Sequence, residues 1–335
     1  MTQKVIGIIT PCFNEELNVA VCYETVKALF ETKLPGYVRT HIFADNASTD
    51  GTVAALRRIA KTDPNVKVIV NARNYGPFRS TFNALLAAPG DAVVVMLPVD
   101  LQDPPDVIEE FVKQWEQGHE VVYGIRANRQ EGLVMRLVRK FYYRLVSRFA
   151  NITVPPDVGE FQLIDRVVVE ALRQCDDYYP YIRGLIANCG FHSTGVSYTW
   201  KARARGMSKN RLYHLIDQAL NGLISFTNIP MRICLFLGII LSTLSITYAV
   251  FTMLMNLRHY RELAAPGIPT LIAALFFFSG VQLFFLGVLG EYIGAIHFQV
   301  RRRPLVVERE RINFELDAHS PESLPHSTSK IAGNS

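Results

Sequence analysis

The stretch Lys4-Val-Ile-Gly-Ile-Ile-Thr10-Pro11-Cys12-Phe13-Asn14-Glu15-Glu16 decides how the N-terminal half of the chain is read. Lys4 to Thr10 is a nearly continuous apolar run rich in β-branched residues, the pattern of a strand buried on both faces, and Pro11 breaks it. From Asn14-Glu15-Glu16 onward, Val19, Cys22, Val26 and Leu29 recur at helical spacing. Strand, turn, helix is therefore the first unit. A second strand, Arg39 to Ala44, meets the polar turn Asp45-Asn46-Ala47-Ser48-Thr49-Asp50-Gly51, and a helix runs on from Thr52 to about Lys61. A third strand, Val66 to Val70, precedes the loop Asn71 to Pro77 and another helix. Ala92 to Leu97 makes a fourth strand that ends in polar residues. Alternation of this kind predicts a doubly wound, mostly parallel α/β sheet.

Such sheets bind ligands at the carboxyl ends of their strands, and here those ends carry Asn14, Glu15, Asp45, Asp50 and Asp100. Carboxylates, not glycines, line the expected cleft. No G-x-G-x-x-G follows the first strand and no Walker A lysine loop is present, which removes the main support for dinucleotide oxidoreductases and P-loop NTPases. An acidic cleft that holds a diphosphate needs a bridging divalent cation. Asp100 and Gln102 offer the oxygen ligands that Mg²⁺ or Mn²⁺ prefers. Asp45 with Ser48 and Asp50 equally suits a turn and helix N-cap, and Asp103-Pro-Pro-Asp106 reads as a helix start. The eight histidines show no metal-ligand spacing such as H-E-x-x-H.

Beyond this half the composition changes the picture. Of 335 residues 49% are hydrophobic and only 19% charged, with mean hydropathy +0.15, so a soluble domain and a membrane part are both expected. A net charge of +5 is too mild for a general nucleic-acid binder. Five cysteines without C-x-x-C spacing read as reduced thiols facing the cytosol, and the N-terminus lacks the pattern of a cleaved export signal. Residues 233–255 and 268–290 contain no charged side chain, and each is long enough, at about 35 Å, to cross a bilayer. Arg205, Lys209, Arg211 and Arg232 precede the first span, and Arg301, Arg302, Arg303, Arg309 and Arg311 follow the second. The connector holds only Arg258 and Arg261, so both termini are expected in the cytoplasm. Between Ser208 and Ile224 an amphipathic pattern suits either an interfacial helix or a core-facing one.

These motifs together resemble the family 2 glycosyltransferases of the GT-A fold, and within them the polyprenyl-phosphate glycosyltransferases of the dolichyl-phosphate mannose synthase and GtrB/ArnC type. Pro11-Cys-Phe-Asn-Glu-Glu16 is similar to P-x-[YF]-N-E-E, Asp45-Asn-Ala-Ser-Thr-Asp-Gly-Thr52 to D-[DN]-x-S-x-D-G-T, and Asp100-Leu-Gln-Asp-Pro-Pro105 to D-L-Q-D-P-P. Gly206-Met-Ser-Lys209 resembles G-x-S-K, and Gly290-Glu-Tyr-Ile-Gly294 with Arg303-Pro304 resembles the signature after the second span. Three departures stand out. Pro98 replaces the first Asp of D-x-D, Gly159-Glu-Phe-Gln-Leu163 stands where G-D-F-R-L is usual, and Pro77-Phe78-Arg79 is unusual after the familiar Arg73-Asn-Tyr-Gly76.

The resemblance implies a cytoplasmic GT-A catalytic domain over 1–205, a juxtamembrane amphipathic region over 206–232 and a membrane hairpin of 233–255 and 268–290 joined by an extracytoplasmic connector, 256–267. A cytoplasmic basic segment, 291–312, and a disordered tail, 313–335, complete the layout. It further implies an inverting hexosyltransferase in the plasma membrane, moving glucose or a related hexose from a UDP-linked donor to undecaprenyl or another polyprenyl phosphate, with Mg²⁺ or Mn²⁺, as a homo-oligomer such as a tetramer. Pro11, Asn14, Glu15, Asp45, Asn46, Asp50 and Arg73 would bind the nucleotide sugar. Asp100 and Gln102 would hold the metal, Arg126, Arg203, Ser208 and Lys209 the acceptor phosphate, and Asp100, Glu160 and Arg126 would act in catalysis. A processive polysaccharide synthase is disfavoured because no Q-x-x-R-W occurs. A sugar-nucleotide or lipid-phosphate binding subunit without catalysis is the other reading.

Overall fold

The computed structural model describes residues 3–127, 158–175, 177–178, 180–200, 268–300 and 304–314, with a few helical positions between 236 and 247. Among the described residues eight strands form one sheet: β1 (Lys4–Cys12), β2 (Tyr37–Asp45), β3 (Val66–Asn71), β4 (Ala92–Val95), β5 (Val121–Ala127), β6 (Val158–Asp165), β7 (Ser193–Thr199) and β8 (Glu308–Ile312). Their order across the sheet is β7-β5-β6-β4-β1-β2-β3-β8. The pairs β1 with β2, β1 with β4, β2 with β3 and β5 with β7 are parallel, whereas β6 and β8 run against their neighbours. The expected mostly parallel, doubly wound sheet is found, with two reversed strands that the apolar pattern of the first hundred residues did not foretell.

Helices cover both faces. On one side lie α1 (Glu16–Lys33), α2 (Thr52–Thr62) and α4 (Val107–Glu116), packing Val19, Cys22, Leu56 and Phe111 against Ile6, Ile8, Phe43 and Val94. On the other lie α3 (Pro77–Ala87), α5 (Arg166–Arg173) and α6 (Ile182–Asn188), where Phe82, Leu85, Val169 and Leu185 meet Ile9, Ile42, Val93 and Val95. Adjacent residues of β1 and β4 thus enter opposite cores, which is why those strands read as unbroken apolar runs and not as alternating ones.

Pro11 does not end β1 as expected, because the strand continues to Cys12. Its missing N–H is harmless for a geometric reason. The Ile9 carbonyl faces β4, accepting from Leu97 N–H at 2.8 Å, and the Cys12 carbonyl faces β2, accepting from Asn46 N–H at 2.9 Å. Alternation turns the Pro11 nitrogen toward β4, whose ladder with β1 reaches only Ile8↔Val94.

Residues 304–312, the end of the expected basic segment 291–312, contain β8, which pairs antiparallel with β3 and covers an edge that would otherwise be open. Arg79, the unusual residue of Pro77-Phe78-Arg79, explains how it is held. Its guanidinium is buried, donates to the carbonyls of Pro304 and Leu305, and lies over the rings of Tyr75 and Tyr178. Asn83 Nδ2 donates to Glu308 at 2.6 Å, and Asn313 Nδ2 donates to the carbonyls of Ala60 and Val66 at 2.7 and 2.8 Å. Asn313 and Phe314, at the head of the tail expected to be disordered, are therefore anchored; residues 315–335 lie outside the described residues.

A last helix, α7 (Ile268–Val300), spans 33 residues, about 50 Å at 1.5 Å per residue. It contains all of the expected second span, 268–290, which carries no charged side chain. Of the expected first span only scattered helical positions, Phe236 to Thr247, are described, and the juxtamembrane region 206–232 and connector 256–267 lie outside the described residues.

One buried polar pair sets a pH dependence. His41 is fully buried in β2, with its Nε2 2.9 Å from Thr10 Oγ1, and burial, then the Arg39 charge, holds its pKa well below the ordinary range. The unfolded chain binds a proton below about pH 6.5 that the folded chain refuses, so this term costs stability as pH falls through 6.5. Unfolding midpoints of wild type and His41→Gln at pH 7.5 and 5.5 should show a smaller acid-induced drop in the variant; equal drops would refute the assignment.

Candidate functional site

The carboxyl ends of β1, β2, β3, β4, β5 and β7 lie along one edge of the sheet, and the start of the reversed strand β6 comes to the same edge, since Val158 pairs with Ile125 near the end of β5. Four non-glycine residues in turns beyond β1, β2 and β4 have left-handed backbones: Asn14 (φ 55), Ala47 (φ 62), Met96 (φ 52) and Leu101 (φ 55). Such residues are uncommon, and their concentration at one edge marks backbone strain held in place by the surrounding bonds.

The turns after β1 and β2 are laced together. Asn14 N–H donates to Ser48 Oγ at 2.9 Å and Thr49 N–H to Asn14 Oδ1 at 2.8 Å. Glu15 N–H donates to Thr52 Oγ1 at 2.9 Å, and Gly51 N–H to Glu16 Oε2 at 3.1 Å. Asp50 accepts from Thr52 N–H at 3.0 Å and from Glu16 N–H at 3.4 Å. Burial alone would raise the Asp50 pKa, but the Thr52 hydroxyl and N–H outweigh it and hold the carboxylate below its ordinary range. Asp50 therefore does the structural work of a turn, while Gly51 stands at the N-cap of α2, which no side chain caps. Asp45 behaves differently: it is fully buried, its Oδ2 accepts from Ser48 N–H at 3.0 Å, and its Oδ1 has no hydrogen-bond partner. Burial pushes its pKa up, with the bonds from Ser48 opposing.

Asn46, buried beside it, ties β2 to the loop after β3. Its Oδ1 accepts from Tyr75 N–H at 2.9 Å and from Asn71 Nδ2 at 3.2 Å, and its Nδ2 donates to Asn74 Oδ1 at 2.8 Å. Asn71 and Asn74 were not singled out from sequence; their place in the loop after the third strand was the available signal. Arg73, on the same loop, is exposed with its guanidinium 4.1 Å from the Tyr75 ring centroid.

After β4 the chain turns at Pro98, whose carbonyl accepts from Leu101 N–H at 3.0 Å. This places Asp100 inside the turn, with its Oδ1 accepting from Gln102 N–H at 3.3 Å. Among the described residues no group of three His, Cys, Asp or Glu side chains could hold a metal ion by itself. The donor set present, one carboxylate and one amide oxygen two residues apart, fits an ion that completes its shell with substrate phosphate oxygens and water, as Mg²⁺ commonly does.

Beside this turn lies a charged cluster. Arg126, ending β5, grips buried Asp103 by Nε (3.0 Å to Oδ1) and Nη2 (2.7 Å to Oδ2), and Tyr198 OH donates to Asp103 Oδ1 at 2.6 Å. The expected reading of Asp103 as no more than a helix start is corrected here: it is 1% exposed and paired with Arg126, a role for which sequence offered no signal beyond its place in D-L-Q-D-P-P. Burial alone would lower the Arg126 pKa, and the Asp103 bonds more than reverse that. On β6, Glu160 Oε1 lies 3.5 Å from Arg183 Nε, and its Oε2 is buried without a hydrogen-bond partner. Burial raises its pKa, with Arg183 and then Arg126 opposing. Gln162, in the position of the usual arginine, turns back to donate to the Gly159 carbonyl at 3.1 Å. Arg203, Ser208 and Lys209 lie outside the described residues.

Cys12, within the first motif, is buried, and burial raises its thiol pKa well above the ordinary value; Cys22 is pushed up to about 12. In a Cys234→Ala background, iodoacetamide at pH 8 should alkylate half-buried Cys175 and Cys189 first, with Cys12 and Cys22 modified only on unfolding. Peptide mass spectrometry checks the order, and early labelling of Cys12 would contradict its burial.

Residues 7–173 match the family Glycosyl transferase family 2, and residues 229–296 match the GtrB C-terminal hairpin. The chain is 32% identical over 310 residues to the uncharacterized glycosyltransferase YkcC of Bacillus subtilis, covering 92% of this chain and 94% of that one. It is 32% identical over 300 residues to the SfII prophage-derived bactoprenol glucosyl transferase of Shigella flexneri, covering 89% and 96%. Among solved structures it is similar to the mannosyltransferase PcManGT of Pyrobaculum calidifontis, at 17% identity and TM-score 0.44 over 89% of this chain and 86% of that one.

Proposed function

The chain belongs to glycosyltransferase family 2 and is a glycosyltransferase, and from that premise we propose that it moves a hexose, glucose first among them, from a UDP-sugar to a polyprenyl phosphate with inversion at the anomeric carbon. The observation that carries this reading is the meeting, on one sheet edge, of an orphaned buried carboxylate oxygen (Asp45), an oxygen-donor turn (Asp100, Gln102) and a cation fixed at the end of β5 (Arg126). A nucleotide diphosphate needs donors and acceptors for base and ribose, charge neutralisation for its phosphates, and a cation where an anionic acceptor arrives.

In this reading Pro11, Asn14, Glu15, Asp45, Asn46, Asp50 and Arg73 form the nucleotide-sugar end. Asp45 Oδ1 is an acceptor awaiting a donor such as a ribose hydroxyl or base N–H, because an unpaired buried oxygen is costly until bonded. Asp50 acts by holding the turn. Asp100 and Gln102 would hold Mg²⁺ or Mn²⁺, which supplies charge stabilisation for the leaving diphosphate. Arg126, with Arg203, Ser208 and Lys209, would receive the lipid phosphate, a monoester already anionic near pH 7, so that the attack needs no strong base. Glu160, buried between Arg183 and Arg126, would orient these cations and is not required to take a proton. Catalysis is then mainly positioning and charge stabilisation.

The acceptor is a lipid, and the hairpin 233–255 and 268–290 would place the enzyme in the plasma membrane with both termini cytoplasmic. The outward-facing side chains of Phe236, Ile240, Leu244, Leu271, Leu275 and Leu286 support this arrangement, as a large apolar surface calls for lipid or a partner copy, a homo-oligomer such as a tetramer.

Purified protein given undecaprenyl phosphate and a panel of labelled UDP- and GDP-sugars should pass label to the organic phase from one UDP-hexose, and EDTA should abolish it. Asp100→Ala should reduce turnover by about a hundredfold or more. Wild-type turnover in Asp100→Ala would refute the site, and nucleotide-sugar binding without transfer to any lipid would favour a binding subunit.

A further inference from the structure

Asp103 takes no part in the chemistry proposed above, yet it is buried at 1% exposure and holds three contacts from two other strands. Arg126 Nε and Nη2, from β5, donate to its two oxygens at 3.0 and 2.7 Å, and Tyr198 OH, from β7, donates to Oδ1 at 2.6 Å. Tyr198 also stands 3.3 Å from Arg126 Nε. A guanidinium is a rigid planar fork, so gripping its Nε and Nη2 edge fixes the direction of every remaining N–H. Among the described residues, the side that makes no hydrogen bond is then the one carrying Nη1.

Gly159 closes the other flank. A Cβ there would lie 3.3 Å from Arg126 Nε and 3.4 Å from Cζ, so β6 runs beside the guanidinium at a distance suited to glycine. The next residue, Glu160, feels the Arg126 charge. Arg126 is thus walled by a carboxylate, a phenol and a strand backbone.

We propose that Asp103 is a positioning residue that, with Tyr198, locks the Arg126 guanidinium so that its Nη1 side meets the acceptor phosphate. The proposal rests on the reading of Arg126 as an acceptor-phosphate residue. Its physical content is a sign. If Asp103 acted only through its charge, removing a carboxylate beside an anion site would tighten phosphate binding. If it acts by positioning, removal frees a long side chain whose ordering then opposes binding, and affinity falls.

The test measures binding of farnesyl phosphate to the full-length chain in detergent for wild type, Asp103→Asn, Arg126→Gln and the double variant. Asp103→Asn should bind about tenfold more weakly, and the double variant no more weakly than Arg126→Gln alone, because the two residues act as one unit. Tighter or unchanged binding by Asp103→Asn, additive losses, or wild-type binding by Arg126→Gln would each overturn the proposal. If Asp103→Asn does not fold, Tyr198→Phe decides: a loss of about threefold in wild type and none in Arg126→Gln is expected, and equal losses in both overturn it. The same preparations are assayed for sugar transfer. Arg126-dependent binding without transfer by wild type would sink the transferase reading and leave the positioning role standing, whereas no binding by wild type would sink both.

Discussion

Nine residues of β1 pair in parallel with nine of β2, from Lys4↔Tyr37 to Cys12↔Asp45, and the rest of the site depends on that register. Because the strands run the same way and end level, the turns that follow them meet, and Asn14 can exchange bonds with Ser48 and Thr49. A one-residue slip would send Asp45 to the opposite face and strip Asn46 of its bond to the Cys12 carbonyl. The strain of left-handed Asn14 and Ala47 is tolerated since the bonds across the two turns leave few alternatives.

The site sorts its carboxylates by environment. Asp50 is held ionised by N–H and hydroxyl donors, while Asp45 and Glu160 sit in burial that favours their neutral forms and keep one oxygen each without a partner. Asp103 is buried too, but Arg126 compensates its charge. Similar residues thus carry different tasks, decided by what surrounds them. Pro98, which occupies the place of an expected acidic residue, contributes a carbonyl to the turn that presents Asp100.

The first four strands were legible because each is a stretch rich in β-branched residues bounded by a polar turn, and the structure gathers the acidic residues at their ends along one edge of the sheet. Legibility failed where contacts were distant. β6 and β8 reverse direction, and β8 is a short segment of alternating charge, Glu308-Arg309-Glu310-Arg311, whose strand identity comes from the β3 edge it meets and not from hydrophobic periodicity. The Asp103 pairing crosses 23 residues to Arg126 and 95 to Tyr198, and the Arg79 bond crosses 226 to Leu305. No local pattern encodes such pairs, which is also why Arg79 registered in the sequence only as an oddity. Asp50 shows the converse: its local reading as a turn residue was available and its bonds from Thr52 and Glu16 N–H support it, although Gly51 and not Asp50 stands at the N-cap of α2.

The docking of β8 has a mechanical consequence. α7 ends at Val300 and the anchored segment begins at Pro304, so the two are joined by four Cα steps, about 14 Å at full stretch. Whatever surface holds α7 therefore moors the sheet on a short line. A ligand confined to that same surface would meet the cleft through a search in two dimensions, at a local concentration governed by the length of the mooring and not by the bulk solution.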